Sequence, residues 1–165
     1  MPNLSGSLKG SVLAFDFGES RIGVAQGNTQ IAIAHPVCTI TGKSNQDKFN
    51  QISGLVKEWQ PDFLIVGKPT HLDGTAHEIT QLAEKFARRL HSTFRLPVGL
   101  VDERLTSISA EQRLTETQTF GKKRKQALDQ VAAMEILQSF FDGTACEMVV
   151  RHSRFTTKQN ETLAF

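Results

Sequence analysis

The sequence has few cysteines, no long apolar run and no apolar segment near its start. Its two cysteines, Cys38 and Cys146, are far apart and match no metal-binding spacing, which indicates reduced thiols. No apolar stretch is long enough to span a bilayer, and Met1–Lys9 lack the apolar core of a signal peptide. These absences predict a cytoplasmic protein that does not enter a membrane.

Motifs typical of several other protein classes are also missing. The sequence contains no Gly-x-x-x-x-Gly-Lys-Ser/Thr phosphate-binding loop, no internal repeat and no low-complexity block. Its five histidines show no ligand spacing. The net charge of +2 and the isoelectric point of about 8.6 are only mildly basic. Any affinity for nucleic acid therefore has to come from a local patch of charge.

The length and composition predict one compact domain. A chain of 165 residues of which 39% are apolar can bury a sizeable core without disulfides. We expect a single domain over residues 1–150, followed by a flexible polar tail over residues 151–165.

The hydrophobic pattern predicts the elements of this domain. The predicted strands are 11–17, 21–26, 30–39, 62–67 and 97–101, and the predicted helices are 47–60, 76–92, about 107–115 and 126–141. Short connections make the first three strands an antiparallel meander. His35-Pro36 limits the third strand to an edge position or to an early end. The next two strands have the apolar character of parallel strands. We expect an α/β fold with one mixed five-stranded sheet and helices on both faces. Residues 146–150 either add an edge strand or pack as an extended segment.

A carboxylate lies inside the first predicted strand, in Val12-Leu-Ala-Phe-Asp-Phe-Gly18. An Asp buried there without a partner costs several kcal/mol, which a chain tolerates when the acid holds a metal or has other work. Gly18 allows a tight turn directly after the acid, and the return strand begins with Arg21. The alternative is an Asp that only stabilises the turn.

Two further acids occur in similar apolar settings. Glu103 follows the strand that ends at Val101, and Asp129 shares a helix face with Ala132, Ala133 and Ile136. Because sites gather at the carboxyl ends of parallel strands, we expect Asp16, Glu103 and Asp129 to converge there. Clustered carboxylates need a cation, and hard divalent ions such as Mg²⁺ or Mn²⁺ fit oxygen ligands. Two such ions, about 3.5–4 Å apart, clamp a phosphodiester during hydrolysis. The alternative is three unrelated surface acids.

Basic residues flank this predicted site. Arg21, Lys68 and Arg104 are candidates for contacting phosphate or for steadying the acids. The run Lys122, Lys123, Arg124 and Lys125 is a candidate for contacting a nucleic-acid backbone with salt-dependent affinity. Considered alone, such a run is more often a solvated loop.

These stretches resemble one family, the YqgF/RuvX proteins, which are named as pre-16S ribosomal RNA nucleases or Holliday junction resolvases. The resemblance covers about Ser11–Phe141, and its motifs occur in the family's order. The matching motifs are Asp16-Phe-Gly with Arg21-Ile-Gly-Val-Ala, Val66-Gly-Lys-Pro with Asp73-Gly-Thr, Asp102-Glu-Arg-Leu-Thr-Ser, and Asp129-Gln-Val-Ala-Ala. Together these motifs are specific, whereas the first alone is not.

The resemblance implies a ribonuclease H-like fold and a metal-dependent endonuclease. It places the family's catalytic, metal-binding acids on Asp16, Glu103 and Asp129, with Mg²⁺ or Mn²⁺ as the cofactor. The implied substrate is structured RNA, in particular the 5′ end of precursor 16S ribosomal RNA during ribosome biogenesis. Branched DNA is the alternative substrate. Lys68 departs from the family, which commonly carries an apolar residue before the proline, and this leaves substrate contacts there open.

Two other functional classes are weighed against the nuclease. A sugar-kinase or actin-like ATPase shares the fold, but such proteins need two domains around a nucleotide and this chain is too short. A ribosome- or RNA-binding module without catalysis is the second alternative, although the presence of all three acids favours an enzyme. The oligomeric state stays open between a monomer and a weak dimer, because a resolvase needs a two-fold dimer and ribosomal RNA trimming does not.

Overall fold

The computed structural model describes residues 8–18, 20–68, 78–102, 121–144 and 146–149. The strands are β1 Ser11–Phe17, β2 Arg21–Asn28, β3 His35–Thr41, β4 Phe63–Lys68, β5 Val98–Asp102 and β6 Cys146–Met148. The helices are α1 Asn45–Trp59, α2 Glu78–Phe94 and α3 Gly121–Phe141. The predicted helix at about 107–115 and the predicted tail at 151–165 lie outside the described residues. Among the residues described, no helix is long and apolar enough to cross a membrane.

The strands form one mixed sheet in the order β3-β2-β1-β4-β5-β6. The β1–β2 and β2–β3 pairs are antiparallel, and β4 lies parallel to both β1 and β5. The predicted α/β class, the meander and the parallel strands are therefore confirmed. The sheet has six described strands rather than five, because Cys146–Met148 pairs antiparallel with β5.

The third strand begins later than predicted. Ile31 and Ile33 fall within the predicted strand 30–39, but they lie outside β3 and are 67% and 52% exposed. A turn follows Asn28, and the left-handed backbone of Ala32, at φ 58°, interrupts the extended chain. The predicted edge position of His35-Pro36 is confirmed, since β3 is the outer strand.

Local capping explains where α1 begins and ends. The hydroxyl of Ser44 accepts a hydrogen bond from the backbone N–H of Asp47, so the helix begins at Asn45, two residues before the predicted start. Gln60 takes a left-handed conformation after the last turn and bonds back to Val56, and Pro61 follows it.

Helices cover both faces of the sheet, as predicted. Alternate residues of β1 point to opposite sides, so Leu13 and Phe15 pack with α1 and α2, whereas Val12 and Ala14 pack with α3. We call these the α1/α2 face and the α3 face. On α3, the core residues are Ala133, Ile136, Leu137 and Phe140.

The last helix begins at Gly121 rather than near Gln126. The basic run Lys122–Lys125 therefore lies in the first turns of α3, not in a loop as expected. Lys and Arg are good helix formers, so the run continues the helix instead of interrupting it. The side chains at 121–127 lie outside the described residues.

Candidate active site

Asp16 lies near the carboxyl end of β1, on the α3 face. It follows Val12 and Ala14 in the alternation of the strand, and both belong to the core beneath α3. Across the antiparallel pair, its register partner is Gly23 of β2. The chain turns directly after Phe17, and a Cβ at Gly18 would lie 2.7 Å from the carbonyl oxygen of Arg21. A glycine is therefore required for this turn.

Asp129 approaches the same region from α3. Its helix face carries Ala132, Ala133 and Ile136, which are all buried, as the predicted spacing requires. The Asp129 side chain is 20% exposed, so it is partly buried between helix and sheet. Arg21 Nε donates a 2.6 Å hydrogen bond to Asp129 Oδ2. This hydrogen bond shows how Arg21 can hold the carboxylate of Asp129 in place, which is one of the two roles predicted for it.

Asp16 and Asp129 line one open cavity of about 450 Å³. The described residues that line it are Asp16, Gly18, Ser20, Arg21, Ile79 and Asp129. The cavity lies beside the β1–β2 turn, at the carboxyl end of β1, where the strand order predicted a site. Two carboxylates and one guanidinium at its wall make it suited to a cation, to a phosphate group or to both.

The donor set fits a hard divalent cation. Carboxylate oxygens are the ligands that Mg²⁺ and Mn²⁺ prefer, and Asp16 and Asp129 both supply them. Within the described part of the chain, no group of three His, Cys, Asp or Glu side chains is arranged to hold a metal ion. The described part of the cavity thus offers two carboxylates as candidate ligands. Glu103 and Arg104 lie outside the described residues.

Lys68 forms ion pairs with two carboxylates. Its Nζ lies 3.1 Å from Glu147 Oε1 and 3.3 Å from Glu84 Oε2, which joins β4 to β6 and α2. Burial lowers the pKa of Lys68, but its hydrogen bonds and charge interactions with Glu147 and Glu84 outweigh burial and raise the pKa overall. Of the described residues around the cavity, Lys68 is not one that lines it. Lys68 therefore links two strands and a helix, and its contact with phosphate stays a prediction.

Two lining residues were not singled out from the sequence. Ser20 lies in the turn between Gly18 and Arg21, and that neighbourhood was the available signal. Ile79 was assigned to the apolar face of the second helix, and it lines the cavity near the start of α2. The pattern gave no sign that this apolar residue reaches the site.

The fold and the cavity define an α/β protein with a carboxylate-lined cleft at the carboxyl end of a central strand. Residues 10–143 match the model of the RuvX family, which is described as "Holliday junction resolvase". The chain therefore belongs to the RuvX family, as the sequence motifs indicated.

Similar proteins carry a different functional name. A protein of Neisseria meningitidis serogroup C is 58% identical over 139 residues, which cover 84% of this chain and 92% of that protein. A protein of Methylobacillus flagellatus is 54% identical over 145 residues, covering 88% and 99%. Both are named "Putative pre-16S rRNA nuclease". The solved structure of T. thermophilus RuvC in complex with a Holliday junction substrate matches with a TM-score of 0.47 and 11% identity, covering 81% of this chain and 94% of that one.

Proposed function

We propose that this protein is a metal-dependent endonuclease that hydrolyses phosphodiester bonds in structured RNA. The observation that carries the proposal is the meeting of Asp16 from β1 and Asp129 from α3 at one open cavity. The names of the similar proteins support precursor 16S ribosomal RNA as the substrate. The proposal includes its 5′ end as the site of processing. A cytoplasmic location belongs to the same proposal.

The proposed catalytic acids are Asp16, Asp129 and Glu103. The side-chain alternation of β5 supports the third acid. Val101 belongs to the core of the α3 face, and a strand continuing by two residues would place Glu103 on that same face. Asp102 occupies the intervening position and is exposed. This alternation favours Glu103 over Asp102 as the proposed third acid.

Mg²⁺ or Mn²⁺ is the proposed cofactor, held by these carboxylates. When bound, it supplies Lewis acidity and stabilises the charge that develops on the phosphodiester oxygens. The residues around the cavity position the phosphodiester that reacts. Arg21 bonds Asp129 Oδ2, and its guanidinium at the cavity wall is suited to a phosphate oxygen.

The basic start of α3 is the proposed contact for the nucleic-acid backbone. The N-terminus of a helix already carries partial positive charge, so basic residues in the first turns oppose the helix dipole. The first turn of α3 also has no acidic residue to offset Lys122, Lys123, Arg124 and Lys125. A bound phosphate backbone relieves this unfavourable arrangement. Arg104 belongs to the same proposed surface.

The test is cleavage of matched RNA and DNA substrates in Mg²⁺ or Mn²⁺, including a precursor with the 16S 5′ end. We expect the structured RNA to be cut and Asp16→Asn to abolish cutting. Asp62→Asn is the matched control, because Asp62 accepts a hydrogen bond from Ser11 N at the opposite end of β1. Equal activity of Asp16→Asn and wild type would disprove the proposed site.

Holliday junction cleavage is the second candidate function, because the family description names it. A four-way DNA junction assayed beside the RNA separates the two. Symmetrical cutting of the junction by a two-fold dimer would favour the resolvase. Tight RNA binding without any cutting would favour the non-catalytic module instead.

A further inference from the structure

Strand β2 contacts helix α3 through two glycines, and each contact is too close for a side chain. Gly23 and Gly27 are four residues apart, so they lie on the same face of β2. A Cβ at Gly23 would overlap the backbone carbonyl group of Asp129 and lie 3.0 Å from its Cβ. A Cβ at Gly27 would lie 2.8 Å from Phe141 Cζ and 2.9 Å from the carbonyl oxygen of Ile33.

The two contacts differ in what has to move. At Gly27, the ring of Phe141 can rotate away from an added methyl group, and the backbone that has to shift is that of Ile33, which does not line the cavity. At Gly23, the obstacle is the backbone carbonyl of Asp129, which is held in place by α3. Space for an added methyl group therefore requires the helix to shift. A methyl group at Gly23 therefore acts on the position of the acid itself.

Gly23 is also the residue that links Asp129 to Asp16. It faces Asp16 across the β1–β2 pair, where opposite Cα atoms lie about 4.5–5.5 Å apart. Asp129 rests above the same glycine, on the α3 face of the sheet. The relative position of the two carboxylate-bearing backbones is thus set by one strand spacing within the sheet and one backbone contact perpendicular to it, and neither depends on a flexible side chain.

We infer that Gly23 is a positioning residue that sets the distance between Asp16 and Asp129. The inference rests on the proposed function, in which both acids hold one divalent cation site. Arg21, two residues earlier on the same face of β2, adds the second constraint by bonding the Asp129 carboxylate. Strand β2 therefore fixes both the backbone and the carboxyl end of this acid.

The test compares Gly23→Ala with Gly27→Ala, which places the same methyl group on the same strand and against the same helix. Crystal structures of the metal-free proteins measure the Cα separation of Asp16 and Asp129. Calorimetric titration with MnCl₂ measures metal affinity independently of cleavage. Because real Cβ atoms essentially never approach other heavy atoms within 3.0 Å, we expect the backbone of Asp129 to move by about 1 Å or more in Gly23→Ala. Its Mn²⁺ affinity should fall roughly 10- to 100-fold, whereas Gly27→Ala keeps wild-type affinity.

The Cα separation and the Mn²⁺ affinity together distinguish failure of this inference from failure of the proposed function. An unmoved Asp129 in Gly23→Ala overturns the inference whatever the metal does. A displaced Asp129 with wild-type Mn²⁺ affinity also overturns it. A displaced Asp129 together with a wild-type protein that binds no Mn²⁺ retains the positioning contact and rejects the proposed metal chemistry.

A stabilised background allows for poor folding of Gly23→Ala. Gly54 is an exposed helical glycine of α1 with nothing within 4 Å of an added Cβ, so Gly54→Ala should stabilise the protein. The double variant Gly23→Ala, Gly54→Ala is then compared with Gly54→Ala alone. If the double variant still does not fold, Gly23 is a packing requirement and the inference is rejected.

Discussion

The two faces of the sheet differ in how closely a helix approaches the strands beside the cavity. On the α1/α2 face, Phe15 and Phe49 pack against Phe86, with ring centroids 5.9 and 5.7 Å apart. On the α3 face, Gly23 and Ala25 of β2 meet a helix that presents small residues such as Ala133. Large side chains hold helices away from a sheet and bury much area, whereas small ones allow close backbone approach.

This difference indicates that one face contributes mainly to stability and the other to the geometry of the site. The α1/α2 face supplies much of the apolar burial, and the α3 face brings a helix close enough to place Asp129 at the cavity of Asp16. Substitutions on the two faces should therefore have separable effects on stability and chemistry.

The largest expected effect is on activity, from Asp16→Asn. The acids at the cavity repel one another without metal, so removing one charge should leave the melting temperature equal or higher. Cleavage should fall by several orders of magnitude, because a ligand for the proposed ions is lost. Thermal melts with and without Mn²⁺, paired with cleavage of one structured RNA, measure both. A variant that melts far below wild type without metal would show that Asp16 is a structural hydrogen-bond acceptor.

The largest effect on stability should come from Phe86→Ala on the α1/α2 face. Phe86 is 6% exposed and contacts Phe15, Phe17 and Phe49, so its truncation should cost about 3–5 kcal/mol of unfolding free energy. Urea unfolding measures that cost. The Mn²⁺ affinity of the folded fraction should be unchanged, and a tenfold loss would contradict the separation of the two faces.

Alkaline pH should destabilise the protein through Cys146, which belongs to the core of the α3 face. Burial, followed by the charge of Glu147, raises the pKa of this thiol from 9.0 to about 12. Above pH 9 the unfolded thiol ionises while the folded one stays protonated, so stability is full below pH 9 and is lost as pH rises toward 12. The loss approaches roughly 4 kcal/mol at about 1.4 kcal/mol per unit of pKa.

Urea midpoints between pH 8 and pH 10.5 check this dependence. Cys146→Ala should start from a lower stability at pH 8 and then decline less steeply. Cys38, whose pKa is raised by burial and by Glu58, contributes a residual slope of the same sign, so Cys38→Ala is the companion variant. Identical slopes for Cys146→Ala and wild type would contradict the assignment to Cys146.

The smallest effect should come from Lys68→Gln on the α1/α2 face. Its ion pairs with Glu84 and Glu147 are partly exposed, so their loss should cost no more than about 1 kcal/mol. Affinity for structured RNA and its salt dependence should stay the same, because Lys68 is engaged by carboxylates. A flatter salt dependence in Lys68→Gln would instead show that Lys68 contacts phosphate.

The sequence pattern predicted the elements whose residues bury one face over several turns or alternations. The pattern failed at segments whose conformation depends on contacts with residues far away in the sequence. Ile31 and Ile33 alternate like strand residues, but Gln138 of α3 accepts a hydrogen bond from Ala34 N and donates one to Ala32 O. The three residues of β6 are too few to show a period, and pairing with β5 defines them.

The site was predictable to the extent that it depends on single elements. Asp16 and Asp129 were identified because each interrupts an apolar pattern, and their meeting followed from the strand order. The role of Gly23 could not be predicted, since it depends on where α3 crosses β2. Likewise, the carboxylate partners of Lys68 lie on α2 and β6 and are not visible in its local sequence.

The ion pair between Arg21 and Asp129 joins residues 108 positions apart in the chain. Contacts of such sequence separation form late in folding, because a long loop has to close before they are made. The β1–β2 hairpin can form as soon as it is synthesised, but it carries only Asp16 of the two cavity acids until α3 docks. We therefore expect the proposed cutting activity to begin only with that last docking step. An unfinished chain on the ribosome would leave the RNA beside it intact.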